Sequence, residues 1–207
     1  MSTIGYGAID INSGEKGIVV AAHAIYNTTS GIFYPLVYQP SYDDIPQNSN
    51  NFINVYDRYF LRIDAAFVKY NDVGCAVLIP GRGFYPVKAY REYEEVKEGT
   101  EVCMVGATSG IGCSSIIDKR GSYVVGYTIL YNVFLVFIPI SSGGDSGCPW
   151  FLKDYYTDLN EIVLIGHLFG TVYKNGEPYY DIVVSITSDR VYLGVRPLTY
   201  LPTYSCG

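Results

Sequence analysis

The sequence predicts an all-β protein. Short runs rich in β-branched and aromatic residues alternate with turn signals along the whole chain, a pattern typical of short antiparallel strands. The 22 tyrosines suit half-buried strand faces. Hydrophobic residues make up 49% and charged residues 16% of the 207 residues, so the chain is globular and long enough to bury a sizeable core. Its length fits one large all-β domain or two small ones.

The predicted strands fall into two sets separated by a charged stretch. The first set is 17–22, 31–39, 54–64, 65–70, 74–79 and 84–90, and the second is 101–107, 112–117, 122–131, 133–140, 149–153, 161–173 and 179–186. Residues 91–99 between them are a candidate interdomain linker, with a solvated loop as the alternative. Residues 154–160 predict a polar turn, and residues 187–192 a short helix capped by Thr187 or Ser188.

Charge and hydropathy exclude several function classes. A formal net charge of −6 without a Lys/Arg cluster argues against nucleic acid as the main partner. The longest apolar stretches are strand-sized, so no membrane span is expected. The N-terminus has no basic region followed by an apolar one, so either the protein is not exported through a signal peptide or a leader has been removed. No His or Cys cluster has zinc spacing, and neither a metal nor a cofactor is expected.

The sequence GDSGCP at residues 144–149 is the most informative motif. Gly144 and Gly147 allow a tight turn and a close approach of the backbone to a substrate carbonyl. The amides of Gly144 and Ser146 can then point at one spot, where an oxyanion develops during acyl transfer. Glycine-rich turns that contain Asp and Ser are also common as plain loops.

A serine nucleophile needs a base, and the chain has two histidines. His23 follows the apolar run 18–22, and Asp64 lies in the mostly apolar stretch 62–69, where an unpaired charge is costly. Asp64 is therefore the carboxylate expected to hold the tautomer of His23. Taken singly, His23 is also explained as a core histidine and Asp64 as a turn cap or a partner of Arg62. The order His23, Asp64, Ser146 is that of chymotrypsin.

The motif and this order resemble the chymotrypsin-like serine proteases, and most closely their bacterial streptogrisin, α-lytic and glutamyl endopeptidase members. The resemblance implies an all-β fold of two six-stranded antiparallel β-barrels with the active site in the cleft between them. Residues 1–92 would form the N-terminal barrel that carries His23 and Asp64. Residues 93–207 would form the C-terminal barrel that carries Ser146 and the S1 pocket.

Residues 103–113 resemble the opening hairpin of the second barrel in the streptogrisin and α-lytic proteases. This resemblance implies a disulfide between Cys103 and Cys113, with two buried free thiols as the alternative. The total of five cysteines is odd, which argues against a complete disulfide framework. The compartment therefore stays open: secreted if this bridge forms and a leader was removed, and otherwise intracellular or virus-associated.

Residues 164–170 resemble the strand that lines the S1 pocket. The implied pocket residues are Ile140, Ser141, His167, Leu168, Phe169 and Gly170. In glutamate-specific members an imidazole at this place binds the substrate carboxylate, which predicts Glu, or Gln, at P1. Ile140 stands where trypsin-like members have an acid, so a basic P1 residue is disfavoured. The alternatives are a structural strand histidine and an uncharged pocket for Gln or an apolar residue.

The predicted function is a serine endopeptidase that acts on protein or peptide substrates through an acyl-enzyme. Leu168 stands where many family members have a serine that supports the catalytic aspartate, so Asp64 is expected to have a different supporting donor. Two other classes remain open: a protease-like binding module, catalytically silent or processing only itself, and an esterase with the same triad. The sequence does not predict an oligomeric state.

Overall fold

A computed structural model describes residues 3–27, 32–33, 36–38, 52–126, 128–201 and 205–206. The strands are β1 (Ile4–Asp10), β2 (Lys16–Ala21), β3 (Tyr26–Asn27), β4 (Ile32–Phe33), β5 (Leu36–Tyr38), β6 (Phe52–Phe60), β7 (Ala65–Lys69), β8 (Ala76–Ile79), β9 (Gly83–Tyr90), β10 (Glu101–Gly106), β11 (Gly110–Val125), β12 (Thr128–Phe137), β13 (Pro149–Leu152), β14 (Ile162–Lys174), β15 (Glu177–Ser185), β16 (Val195–Pro197), β17 (Tyr200–Leu201) and β18 (Ser205–Cys206). The helical segments are α1 (Ala22–Ile25), α2 (Lys153–Leu159), α3 (Ile186–Ser188), two 3-10 turns (Leu61–Ile63 and Tyr93–Glu95) and a π turn (Asp189–Leu193).

The first large sheet has the order β16-β1-β2-β7-β6-β5, and all of its neighbours are antiparallel. Its central strands β2 and β7 carry continuous apolar runs, and Val19 and Phe67 are fully buried. The register sets Ala21 opposite Ala65 at one end of this pair. The residues that follow Ala21 and precede Ala65 are therefore neighbours at one end of these two central strands.

The second large sheet has the order β13-β10-β11-β12-β15-β14-β9-β8. An additional antiparallel pairing of β13 with β14 closes the strands β10 to β15 into a six-stranded ring. Trp150, Met104 and Phe134 fill part of its interior. A separate buried cluster joins the two sheets, with Val19 and Phe67 from the first and Leu135 from the second.

We propose that the boundary near residues 92 and 93 separates the two barrels, because β1 to β7 precede it and β10 to β15 follow it. Two elements cross this division. Strand β9 pairs in parallel with β14, and β16 returns to pair with β1. The 3-10 turn within the candidate linker is anchored by the largely buried side chain of Tyr93.

The described disulfides are Cys103–Cys113 and Cys75–Cys206, and Cys148 is a buried free thiol. Cys103 and Cys113 face each other directly on β10 and β11, which is the pairing that the resemblance implied. Cys75 and Cys206 are 131 residues apart in sequence. This second bridge ties the C-terminal hairpin of β17 and β18 back to the segment before β8.

Eight of the predicted strands agree with the observed ones to within two residues at each end: 17–22, 65–70, 74–79, 84–90, 101–107, 149–153, 161–173 and 179–186. The predicted strand 31–39 lies partly outside the described residues. Residues 61–63, predicted as strand, form a 3-10 turn instead, and the predicted strand 112–117 is part of the longer β11. The single strand predicted over 122–131 was wrong, because β11 ends at Val125 and β12 begins at Thr128, and the predicted strand 133–140 extends beyond the end of β12 at Phe137.

The polar turn expected over 154–160 was wrong, because these residues are mostly the helix α2, which ends at Asn160 in the left-handed conformation. The short helix expected over 187–192 is present as α3 and the π turn, but its N-cap is Ser185 rather than Thr187 or Ser188. Gly194, with φ of 65°, ends this segment.

Candidate active site

His23 and Asp64 form a bidentate pair at one end of the central strands of the first sheet. His23 lies in α1 directly after β2, and Asp64 lies between a 3-10 turn and β7 in the left-handed conformation, with φ of 48°. The His23 Nδ1 atom is 2.6 Å from Asp64 Oδ2, and the His23 backbone N–H donates to Asp64 Oδ1 at 2.8 Å. The Ala22 N–H also donates to the Asp64 carbonyl at 2.9 Å. These contacts fix the imidazole with Nδ1 toward the carboxylate and leave Nε2 on the opposite side of the ring.

The two partners differ in exposure, which suits a base and its orienting acid. The Asp64 side chain is 3% exposed and the His23 side chain 38% exposed. Burial by itself lowers the pKa of His23, but the hydrogen bond and charge of Asp64 outweigh it and raise this pKa above its ordinary value. A carboxylate that raises the basicity of an imidazole is the arrangement a general base requires.

The loop that carries Ser146 packs against the strand that leads to His23. At Gly147, which has φ of 84°, an added Cβ would lie 2.9 Å from the Ala21 backbone nitrogen, so only glycine fits there. The Gly147 N–H donates to the Leu168 carbonyl at 2.8 Å, and the Ser146 carbonyl accepts from the Thr3 N–H at 3.0 Å. Ser146 therefore lies next to Ala21, the last residue of β2, and Ala21 precedes His23 by two residues.

Asp145 organises this loop from the inside. Its side chain is fully buried and accepts three backbone N–H bonds, from Thr108 at 2.8 Å, Ser109 at 3.2 Å and Ser142 at 2.8 Å. A Cβ at Gly106 would lie 2.2 Å from Asp145 Oδ1, so the glycine at the end of β10 makes room for the carboxylate. The loop is thus held to the hairpin of β10 and β11.

The two predicted oxyanion amides belong to peptide groups that are both held by hydrogen bonds. The Asp145 carbonyl, in the same peptide group as the Ser146 amide, accepts from the Cys148 N–H at 2.8 Å. The Gly143 carbonyl, in the same peptide group as the Gly144 amide, accepts from the Thr108 hydroxyl at 2.9 Å. Such preorganised donors are what acyl transfer requires.

The predicted pocket residues Ile140 and Ser141 are held by an acid that the sequence analysis did not single out. Asp181 is fully buried, and its Oδ2 accepts the backbone N–H groups of Ile140 at 2.9 Å and Ser141 at 3.2 Å. Its Oδ1 accepts the hydroxyls of Ser141 and Thr171, both at 2.7 Å. An isolated acid between Tyr180 and Ile182, in an apolar run, is the same signal that identified Asp64.

His167 lies between the sheets rather than on an open surface. Its side chain has no exposed area, and its Nδ1 is 3.1 Å from Asp189 Oδ2, which also accepts the Tyr6 hydroxyl at 2.5 Å. Burial lowers the pKa of His167, but the charge and hydrogen bond of Asp189 outweigh it and raise this pKa. The Nε2 atom of His167 is buried, and the backbone of Asp64 adds to the rise in the pKa of this imidazole.

The remaining predicted pocket residues have different surroundings. Leu168 is 1% exposed and packs in the cluster with Trp150, on the side of β14 opposite His167. The Phe169 ring meets the His23 ring edge to face, with 5.9 Å between centroids. Gly170 is half-buried at a bulge in β14.

Cys148 is two residues from Ser146 but is unsuited to act as a nucleophile. It is fully buried and contacts the Met104 sulfur at 3.7 Å. Burial, together with the charges of Asp145 and Asp181, raises the pKa of its thiol well above the ordinary value, so the reactive thiolate is suppressed.

Among the residues that the structure describes, no three His, Cys, Asp or Glu side chains are grouped so that they could hold a metal ion. In the same part of the chain, no helix has both the length and the apolar character needed to cross a membrane.

Comparisons with known proteins identify the architecture. No protein-family model matches the sequence, and no curated protein matches it. Among solved structures, the chain is similar to Thermobifida fusca Protease A, with 18% identity, 96% of this chain and 91% of that chain covered, and a TM-score of 0.66. It is also similar to a glutamic acid specific serine protease described as using a histidine triad in substrate binding, with 16% identity, 94% and 91% covered, and a TM-score of 0.64.

A third similar structure, the Nocardiopsis protease, has 18% identity, 93% and 90% of the two chains covered, and a TM-score of 0.64. Each likeness extends over nearly the whole of both chains, so it concerns the complete architecture and not one sheet. The chain therefore has the two-barrel fold of the chymotrypsin-like serine proteases.

Proposed function

We propose that this protein is a serine endopeptidase that hydrolyses peptide bonds through an acyl-enzyme. The observation that carries the proposal is the pair of hydrogen bonds that the Asp64 carboxylate accepts from the ring and the backbone N–H of His23, at 2.6 and 2.8 Å, beside the loop of Ser146. Structural relatives of the same fold are serine proteases, which agrees with this assignment.

In the proposed mechanism, His23 takes the proton of the Ser146 hydroxyl as its oxygen attacks the scissile carbonyl. Asp64 holds the imidazole in the required tautomer and stabilises the imidazolium that forms. The amides of Gly144 and Ser146 bind the oxyanion. His23 then protonates the leaving amine, and a water molecule, activated by the same imidazole, hydrolyses the ester to Ser146.

Hydrolysis of a proteome-derived peptide mixture and of a simple nitrophenyl ester by the purified chain tests this function. We expect cleavage of internal peptide bonds as well as of the ester. Ester hydrolysis without peptide cleavage would identify an esterase instead. Peptide binding without turnover, or cleavage only of the chain itself, would identify a binding module.

A preference for Glu, or Gln, at P1 is the finer part of the proposal. Its supports are the contact of the His167 Nδ1 with Asp189 and the glutamic acid specificity of one protein with a similar fold. Because the imidazole has no exposed area, the side chains that cover it must move when a substrate carboxylate binds. The negative charge of Asp181 beside Ser141 opposes an anionic P1, so the preference requires a protonated His167.

The P1 preference is tested with a P1 peptide library on the wild type, His167→Ala and Asp189→Asn. We expect the wild type to prefer Glu, then Asp or Gln, over Lys and Leu. Each variant is expected to lose about 10- to 100-fold in Glu over Leu selectivity, the worth of one charged hydrogen bond, while cleavage after Leu reports that the variant is folded. Unchanged P1 profiles in both variants would reject the role of His167.

A further inference from the structure

The turn between β10 and β11 is joined to the Ser146 loop by side-chain hydrogen bonds. The Thr108 hydroxyl donates to the Gly143 carbonyl at 2.9 Å, while the Thr108 N–H donates to Asp145 Oδ1 at 2.8 Å. On the other side, the Thr3 hydroxyl accepts from the Ala107 N–H at 3.0 Å and donates to the Gly144 carbonyl at 3.1 Å. Two threonines from distant parts of the chain thus connect the same turn to the same loop.

The bond from Thr108 acts on the peptide group that carries the Gly144 amide. A peptide group is planar and trans, so its C=O and N–H point in opposite directions. When the Thr108 hydroxyl holds the Gly143 carbonyl, it also directs the Gly144 N–H away from the turn. Glycines on both sides of this peptide group give it no side-chain restraint of its own, so its orientation depends on such external bonds.

The conformation of Gly144 shows how close this contact is. Gly144 has φ of 101°, and a Cβ added there would lie 2.5 Å from the Thr108 hydroxyl oxygen. The backbone at Gly144 and the hydroxyl of Thr108 therefore occupy adjacent space that only a glycine leaves open. The other oxyanion amide, that of Ser146, is in a peptide group held by the backbone N–H of Cys148, and this bond does not depend on a side chain.

We propose that Thr108 is a positioning residue that sets the direction of the Gly144 amide for the oxyanion. The inference rests on the proposed protease function and assigns a role to a residue outside the triad. In the proposed mechanism, Thr108 contacts neither the substrate nor the reacting atoms. Its hydroxyl acts through the Gly143–Gly144 peptide group, so it affects only how well the negative charge on the substrate carbonyl oxygen is stabilised.

The test compares Thr108→Val, which removes the hydroxyl at nearly constant shape, with Thr108→Ser, which keeps it. Losing one oxyanion donor costs about 100- to 1,000-fold, and a misdirected donor loses part of that, so we expect kcat of Thr108→Val to fall about 10- to 100-fold. KM should stay within about twofold, because the interaction is made in the transition state. Thr108→Ser should retain most of kcat.

A peptidyl trifluoromethyl ketone forms a tetrahedral adduct with a serine nucleophile. Its inhibition constant would not change if Thr108 only supported the fold. With the proposed role, this constant should instead rise in Thr108→Val by the same factor by which kcat/KM falls. Thr157→Val, at an exposed position on α2, is the matched control and should behave as the wild type.

Equal losses in Thr108→Val and Thr108→Ser, or a loss in KM alone, would overturn the role of Thr108. An active wild type with an unimpaired Thr108→Val variant would remove this inference and leave the proposed function standing. A wild type that cleaves neither peptide nor ester would remove the proposed function and this inference with it.

Discussion

Replacing Ser146 by alanine is expected to lower kcat/KM for peptide hydrolysis about 10⁵- to 10⁶-fold, the scale seen when a nucleophile that works as part of a triad is removed. The reason is that the nearest thiol and two threonine hydroxyls bonded to the loop are unsuited to take over its role. Cys148, the closest alternative along the chain, is fully buried, and the pKa of its thiol is raised well above the ordinary value. Thr3 and Thr108 use their hydroxyls in bonds to the loop.

The measurement is steady-state hydrolysis of a peptide that the wild type cleaves well. Ser122→Ala is the matched control, because Ser122 is an exposed serine on the β11–β12 hairpin and should leave kcat/KM unchanged. Activity of Ser146→Ala within about tenfold of the wild type would place the nucleophile elsewhere, since triad nucleophiles contribute far more than this.

Replacing Asp64 by asparagine is expected to lower kcat about 10⁴-fold at neutral pH, because an amide no longer selects the tautomer of the base. Asp64 Oδ2 accepts from His23 Nδ1 at 2.6 Å, and an amide nitrogen at this place would donate to Nδ1 instead. The proton would then sit on Nε2, the atom that must receive the proton of Ser146. The backbone bond from His23 to Oδ1 can persist, so the fold is expected to survive the change.

The same substitution, Asp64→Asn, is expected to change the pH dependence of kcat/KM. The base must be neutral to act, and Asp64 raises the pKa of His23 by its hydrogen bond and its charge. In the wild type, activity is therefore lost as the pH falls through a pKa above the ordinary histidine value. Without the carboxylate charge, the acid limb of kcat/KM for Asp64→Asn should move to lower pH.

Asp72→Asn is the control for this pH profile, because Asp72 is an exposed carboxylate in the same half of the chain. It should change neither kcat nor the acid limb. An acid limb that stays in place in Asp64→Asn would mean that the carboxylate does not set the basicity of His23.

The sequence was sufficient to predict the elements whose residue pattern reflects how deeply they are buried. Apart from Lys16 and Lys69 at one end, the strands β2 and β7 are apolar because both lie at the centre of a sheet, and the acid next to such a run pointed to Asp64. The same reasoning applies to Asp181 on β15, yet an isolated acid does not reveal which partner it meets. Asp181 faces the backbone of Ile140 and Ser141, whereas Asp64 faces an imidazole.

The surroundings of His167 could not be predicted, because they depend on which face of β14 packs between the sheets. Alternation along a strand sends Leu168 into the second barrel and His167 toward Tyr6 and Asp189. A bulge between Leu168 and Gly170 then shifts the register, and Gly170 alone does not mark its position because Gly166 in the same strand gives the same signal without a bulge in the pairing with β15. The Cys75–Cys206 disulfide joins residues 131 positions apart, a pairing that only the folded topology defines.

Covalent labelling with a fluorophosphonate probe, followed by peptide mapping in a mass spectrometer, tests the central claim most directly. A serine activated by His23 and Asp64 should form one adduct per chain, located at Ser146. The adduct should be absent in Ser146→Ala and strongly reduced in His23→Ala. A folded wild-type chain that remains unlabelled, or that is labelled at another residue, would contradict the account.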